Sequence, residues 1–511
     1  MALYTTLLWL SLLLFLPLIV MLLMKMKIVK RQNKQLPPGP PKLPIIGNLH
    51  QIGTLAHRSL WQLSKKYGPV MFLKLGSIPT LVVSSAEAAR EVLKIHDLDC
   101  CSRPQLAGIR KLSYNYIDIA FAPYGDYWRV MRKVSVLELF STKRVQSFHF
   151  IREEEVSLMV NSIAQLSSST TAVDLGENML SLTANITCRV AFGKSFRGSG
   201  FDSDRFKEMI YEAMTMLACH FSSDFFPSVG WIIDRLTGLH GRLERIFHEL
   251  DAFYQEVIDD HLNPGHVKQD QEDIIDILLR MERDEAELDA FHFTKDHIKA
   301  ILMNIFLAGV DTGAITMEWA MAELVRNPKL MHKAQDEVRN CVGKKGYVSE
   351  SDLDQLHFLK MVVKETLRLH PPAPLLVPRE TMSNNFKLNG YDIYPKTLVH
   401  VNVWAIGRDP NIWNEPEEFF PERFIDSSVD FKGQHFEFLP FGAGRRGCPG
   451  MQMGTSMLEI AVANLLYHFN WELPNGMNVE DMNMEESPGQ TIHRKCPLKL
   501  VPIIHKWPTE D

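Results

Sequence analysis

Cysteine is scarce in this chain, seven among 511 residues, and the number is odd. That excludes a disulfide-built scaffold and fits a reducing compartment. An excess of basic charge is also lacking. Lys plus Arg number 55 against 61 Asp plus Glu, for a formal net charge of −6, so no nucleic acid is expected as a partner. There is no G-x-G-x-x-G, no Walker loop and no strand–helix–strand alternation, which leaves a nucleotide-binding sheet unsupported. Internal repeats and low-complexity runs are absent. With 46% hydrophobic and 23% charged residues, the chain is neither disordered nor fibrous in composition.

What is present begins with an apolar run. Thr5 to Met24 is twenty residues without a charge, about 30 Å as a helix, the thickness of a bilayer core. Lys25, Lys27, Lys30, Arg31 and Lys34 follow directly. Basic residues beside a span stay cytoplasmic, so residues 1–24 are expected to be a single-pass anchor with the remainder in the cytosol. A cleaved secretory signal would bring a basic start, a shorter apolar core and a small-residue cleavage site; residues 1–6 carry no basic side chain and no A-x-A follows. The sequon Asn185-Ile186-Thr187 would then face the wrong side for glycosylation. Residues 36–44, LPPGPPKLP, hold five prolines in nine, a stiff segment that cannot be helix. Residues 25–45 thus read as a basic, proline-rich hinge. No second linker follows, and 46–511 reads as one large domain.

The coarse pattern is helix-rich α+β. Residues 56–67 look helical, VMFLKLG and TLVVSS read as a hairpin, and Ser85–Ile95 reads as a helix capped by Ser84 or Ser85. Residues 97–123 show no clear period. Helical patterns dominate to about Leu369. Phe386 to Val403 suggests a second small sheet, Asp409 to Phe441 an irregular meander, 450–467 a helix, and the C-terminus short strands.

Five stretches carry chemistry. In Phe441-Gly442-Ala443-Gly444-Arg445-Arg446-Gly447-Cys448-Pro449-Gly450, four glycines bring backbone N–H groups around one cysteine just before a helix. That setting favours a thiolate. With no second Cys or His nearby it is no zinc site, but it suits the axial thiolate of a haem iron; an incidental cysteine in a glycine-rich turn is the bland alternative. Glu365 and Arg368, at i, i+3 on a helix stopped by Pro371-Pro372, are able to pair, although such pairs usually line a solvated face. Arg423, in Pro421-Glu422-Arg423-Phe424, is placed to complete a carboxylate–guanidinium cluster. The apolar run His297–Arg326 holds Ala308-Gly309-Val310-Asp311-Thr312 at its centre. A mid-helix glycine and a buried acid are both costly, which suggests a local opening that hosts a small polar guest and delivers protons. Trp128 and Arg132, at i, i+4, are able to donate together to one anionic group, or simply to cover a core edge.

Together these five stretches resemble the cytochrome P-450 family of haem-thiolate monooxygenases over residues 36–511. The family pattern F-x-x-G-x-R-x-C-x-G is met at Phe441, Gly444, Arg446, Cys448 and Gly450. E-x-x-R falls on Glu365 and Arg368, the third member of that triad on Arg423, the oxygen-activating pair on Asp311 and Thr312, and W-x-x-x-R on Trp128 and Arg132. The wording of LPPGPPKLPIIGNLHQ, KETLRLHPPAPLLVPRE and FLPFGAGRRGCPG is similar to the plant A-type branch, which oxidises specialised metabolites.

The resemblance implies the family's helix-rich fold with small sheets, heme b, O2, and electrons from NADPH through NADPH-cytochrome P-450 reductase. It implies residence in the endoplasmic reticulum membrane and a small apolar substrate, a terpenoid or alkaloid, undergoing hydroxylation or oxidative cyclisation. Cys448 would be the iron's proximal ligand, its thiolate favouring O–O cleavage. Trp128, Arg132, Arg379 and Arg446 would hold the propionates, with Phe441 beside the cofactor, and Asp311 and Thr312 would organise proton delivery. Substrate would touch 102–122, 301–313, 373–377 and 487–491, Leu375 and Gln490 among them. Two departures stand out. Gly313 replaces a usual Ser or Thr, which suggests a roomier groove. Glu486-Ser487-Pro488-Gly489-Gln490-Thr491 replaces a more usual E-x-F-G-L-T, making that pocket edge less apolar. A haem-thiolate isomerase or dehydratase without need of oxygen, and a non-catalytic haem protein, are the competing readings.

Overall fold

The computed structural model describes residues 35–167, 171–195, 203–265, 271–284, 292–383 and 386–507. The expected anchor and the basic half of the hinge lie outside them. Residues 35–45 lie flat on the first sheet: the Phe72 amide donates to the Pro38 carbonyl at 2.9 Å, and Asn48 Nδ2 donates to the carbonyls of Pro40 and Pro41 at 3.2 Å each.

Strands β1 (Val70–Leu75) and β2 (Ile78–Val83) form the expected antiparallel hairpin, Val70 opposite Val83. Ser85 caps the following helix by accepting the Ala88 amide. The segment 386–403 divides where a single second sheet was expected. β5 (Phe386–Leu388) and β6 (Tyr391–Ile393) pair with each other, but β7 (Leu398–Val401) runs parallel to β2, and β4 (Arg379–Glu380) closes the order β1-β2-β7-β4. The reason lies in the side chains. Leu398, Val399 and Val401 are all buried, and a strand apolar on both faces belongs inside a covered sheet rather than in an edge hairpin. β3 (Val173–Asp174), β9 (Lys499–Ile504) and β8 (Phe469–Glu472) make the third sheet.

Five helices build the rest of the site: α1 (Asp126–Val134), α2 (Leu175–Phe192), α3 (Lys295–Arg326), α4 (His357–Leu369) and α5 (Met451–His468). α3 starts at a reciprocal cap between Thr294 and His297. Its 32 residues are long and apolar enough to cross a membrane, yet most of that surface is buried within the protein. α2 packs along α3, with α4 and α5 on its other sides, so an all-round apolar sequence here makes the axis of the core. Asn304 is one of its polar exceptions, and it has a purpose. Its Oδ1 accepts the Ile119 and Ala120 amides at 3.0 Å each, and its Nδ2 donates to Asp118 at 2.8 Å. The aperiodic stretch 97–123 thus holds two short helices, Asp97–Cys100 and Ala107–Leu112, and the Asn304 amide helps to fasten it to the core. Asn185 of the sequon is buried in α2 and donates to the Ser181 carbonyl.

The C-terminal loop 486–494 is held by Glu486. Its carboxylate takes His57 Nε2 at 2.9 Å, Arg58 Nε at 2.6 Å and Trp404 Nε1 at 3.1 Å. Burial pushes this carboxyl up, but the hydrogen bonds and charge of His57 and Arg58 outweigh it and hold the group at about 2. A depressed carboxylate stabilises the fold above its unfolded pKa and loses that contribution as pH falls toward the folded value. Acidification from pH 6 to 3 is therefore expected to remove about 2 kcal/mol through this group alone. Denaturant unfolding of the wild type and Glu486→Gln over that range checks it. The variant should lack this part of the acid slope; parallel slopes would assign the acid sensitivity elsewhere.

Candidate active site

The Phe441–Gly450 turn folds back on itself before α5. The Cys448 amide donates to the Phe441 carbonyl at 2.9 Å and the Gly447 amide to Gly444 at 3.1 Å. Gly444 has φ 70°, and a Cβ there would meet the Leu93 carbonyl oxygen at 2.3 Å, so the turn closes only around glycine. The Phe441 ring stands edge-on to Phe431. Burial pushes the Cys448 thiol up, while the Gly450 N–H and the charge of Arg132 pull it down. The thiol keeps accessible surface although protein surrounds it, as a side chain facing an internal space does.

Guanidinium groups gather beside it. Arg132 Nη2 donates to the Gly447 carbonyl at 2.5 Å. Arg446 is buried, donates to the carbonyls of Cys101 (2.8 Å) and Ala122 (2.6 Å), and lies 3.9 Å over the Trp128 ring. Trp128 Nε1 donates to the Ile119 carbonyl at 2.9 Å. Arg379 pairs with buried Asp97 at 2.7 Å and donates to Ala443 at 2.7 Å. Arg103, which the sequence reading missed, is buried and bonded to the carbonyls of Ala120, Val377 and Pro378.

Burial, with the repulsion of Arg379 and Arg132, draws Arg446 down to about 9. Burial, with the repulsion of Arg446 and Arg379, draws Arg103 well below its usual range. A buried cationic cluster answered mostly by carbonyl dipoles is costly unless an anionic group completes it. One soft sulfur donor among cations suits a haem, whose iron takes the thiolate and whose two carboxylates take the guanidiniums.

On α3 the expected local opening is not a break, since helix continues through Ala308–Thr312. The Thr312 hydroxyl donates to the Ala308 carbonyl at 2.7 Å, which satisfies the group without unwinding the turn. Ala308 is nevertheless exposed in this otherwise buried helix, so accessible surface does open there. Asp311 is buried, as its apolar surroundings suggested, and bound to two residues of the C-terminal loop that sequence reading missed. Thr491 Oγ1 donates to its Oδ2 at 2.6 Å, and His493 Nε2 lies 3.0 Å from its Oδ1. Nothing in the local sequence couples positions 180 apart.

Gly313 does not widen a groove. A Cβ there would stand 2.5 Å from Met457 Cε of α5 and 3.2 Å from Thr183 Cγ2 of α2. The missing side chain lets three helices approach closely. Leu375 is half-buried against the cluster of Leu60, Met71, Leu73, Leu75 and Val82, on which Phe225 also packs. Gln490 is half-buried at the tip of the 486–494 loop, which the Ile492 amide ties to the Pro372 carbonyl.

The Glu365–Arg368–Arg423 cluster forms as the sequence suggested, and it is no solvated face. Glu365 and Arg368 side chains are 0% exposed. Their contact is bidentate, 2.8 Å at both oxygens. Glu365 Oε1 also takes Arg423 Nε at 2.9 Å and the Phe420 amide at 2.8 Å. Arg368 reaches the carbonyls of Gly407, Pro416 and Glu418. The irregular meander after Asp409 is thereby bound to α4.

Comparison with known proteins agrees with this geometry. The family described as Cytochrome P-450 matches residues 37–498. Among curated proteins of Arabidopsis thaliana, cytochrome P-450 71B36 is 56% identical over 474 residues, 93% of this chain and 94% of that protein. Cytochrome P-450 71B37 is 56% identical over 494 residues, 97% and 98% of the two chains. A zebra fish cytochrome P-450 solved with abiraterone superposes with a TM-score of 0.74 at 26% identity, covering 89% of this chain and all of that one. Bound haem supplies such proteins with the centre that activates O2, using electrons from a reductase. By its motif-bearing residues, its fold and its likeness to these plant proteins, the chain belongs to the cytochrome P-450 family and is a haem-dependent monooxygenase of small molecules.

Proposed function

We propose that this enzyme oxidises a plant specialised metabolite, a terpenoid or alkaloid with an apolar body and one polar group, by hydroxylation or oxidative cyclisation at the endoplasmic reticulum membrane. The observation that carries the site assignment is the Cys448 thiol, with an N–H on its sulfur and the Arg132 guanidinium beside it. In this reading Cys448 holds the iron. Trp128, Arg132, Arg379 and Arg446 turn toward the propionates, with Phe441 beneath, and Arg103 joins them. Thr312 and Asp311 hold and pass protons on the opposite side. Glu365, Arg368 and Arg423 keep the Cys448 turn in place. An intact Asp311–Thr312 pair favours oxygen chemistry over an isomerase or dehydratase.

Residues 1–24 are the anchor in this reading, 25–45 the hinge and 46–511 the catalytic domain. Two apolar surface segments support a membrane-facing end. Ile45 and Ile46 are exposed, as are Trp231, Ile232, Ile233 and Leu236. The Ile46 carbonyl accepts the Gly76 amide and the Phe225 carbonyl the Ser77 amide, so the chain just before each segment, or the segment itself, meets the same β1–β2 turn.

The polar group on the substrate follows from Gln490, whose half-buried amide at the loop tip is costly without a partner. Gln490→Leu is expected to weaken the true substrate by about 1–2 kcal/mol and to leave a deoxygenated or carbocyclic analogue unaffected or tighter. The substrate is found by screening terpenoids and alkaloids in microsomes with reductase and NADPH, and affinity is read from the haem spectral shift. Equal effects on both ligands would remove the polar-tag preference.

A further inference from the structure

We propose that His493 positions Asp311 and relays protons from solvent to it. The proposal rests on the reading of Asp311 and Thr312 as the proton-delivering pair. His493 Nε2 lies 3.0 Å from Asp311 Oδ1, and the two side chains differ sharply in exposure, 39% for the imidazole and 5% for the carboxylate. The imidazole end of the pair keeps accessible surface, and the carboxylate end adjoins Thr312 in the core. Thr491 fixes the second carboxylate oxygen at 2.6 Å, leaving Oδ1 to face the ring. The loop that carries the histidine is clamped by Glu486 at one end and by the Trp319 Nε1 bond to the Ile492 carbonyl, 3.0 Å, at the other.

Charged groups around the ring come from two elements. α3 contributes Asp311 and Glu318, and the loop itself contributes Arg494, whose Nε is 3.8 Å from Glu318. Asp174 of β3 stands behind Glu318. Burial alone would lower the imidazole, but its bond to Asp311 and the charges of Asp311 and Glu318 bring it above its usual value; imidazole is the side chain whose ordinary value lies nearest neutral pH. The step is balanced. A proton from water joins Nδ1 as Nε2 gives its own to Asp311 Oδ1, so the ring ends neutral and the carboxylate becomes a carboxylic acid. Once Asp311 has passed its proton on, Nδ1 returns a proton to water and Nε2 takes one up, which restores the starting tautomer.

The test uses the full-length holoenzyme with its reductase, NADPH and air, and needs no organic substrate. NADPH provides two electrons. Oxygen leaves as hydrogen peroxide after two, or as water after four with more protons consumed, so peroxide released per NADPH reports proton delivery. His493→Gln keeps an N–H toward Asp311 and so preserves the latch without the relay. It is expected to raise peroxide per NADPH by roughly threefold or more and to flatten its dependence on pH. Separately, histidine C2 hydrogen exchange read by mass spectrometry gives the titration midpoint of His493, which should fall in Asp311→Asn. If Thr312→Ala raises the peroxide ratio and His493→Gln leaves it and its pH profile unchanged, the relay is overturned while the Asp311–Thr312 reading stands. If neither variant moves the ratio, that reading falls and the relay with it. A midpoint indifferent to Asp311→Asn removes the contact itself.

Discussion

Replacing Cys448 by alanine is expected to abolish the thiolate-type absorption band of the ferrous–carbon monoxide complex completely. Among the described residues no other cysteine combines the same features. Cys100 and Cys101 lie near the arginine cluster, but burial pushes both thiols up, Cys101 to about 11, so they stay protonated and poor as iron ligands. Cys188 is buried among apolar side chains and is also pushed up by that burial. Only Cys448 combines accessible surface, an N–H on its sulfur and a neighbouring guanidinium. A retained thiolate band in the variant would move the ligand to another cysteine and sink the assignment.

The same thiol shows what a sequence discloses and what it withholds. Contiguous motifs were legible because their chemistry is local. The 441–450 turn closes through bonds between residues at most seven apart, and Glu365 and Arg368 meet within one helical turn. Contacts between distant segments left no periodic trace. Arg103 and Asp118 sit in a stretch without period, ordered by tertiary bonds such as those to Asn304. Thr491 and His493 reach Asp311 across the whole catalytic half of the chain. The parallel pairing of β7 with β2 was hidden for the same reason: an alternating run next to Asn389-Gly390 reads as part of a second small sheet until its second face is found to be covered. Gly313 erred in another way. Its small size is spent between Thr183 and Met457, and no local pattern tells which side of a buried helix a glycine serves.

Glu365→Ala and Arg368→Ala are expected to yield little haem-loaded protein rather than a slow enzyme. Glu365 accepts from Arg368, Arg423 and the Phe420 amide at once. Its removal leaves two guanidiniums without their carboxylate, one of them wholly buried, at a cost of roughly 3–5 kcal/mol. That is a large share of the 5–15 kcal/mol that typically separates a folded domain from its unfolded chain. The loss also falls on a segment with little else to order it. Arg368 alone binds the carbonyls of Gly407, Pro416 and Glu418, and Arg423 binds those of Asn414 and Glu415. Residues 409–441 have almost no regular structure among them, and they lead directly into the turn that presents Cys448. Without the cluster the meander loosens and the thiol loses its fixed direction. Arg423→Ala should be milder than either, because its guanidinium ends near the surface and Arg368 remains on Glu365. Haem per polypeptide, from the pyridine hemochromogen spectrum of the purified protein, measures the effect. Full haem content in Glu365→Ala, with only turnover altered, would transfer the cluster from architecture to catalysis.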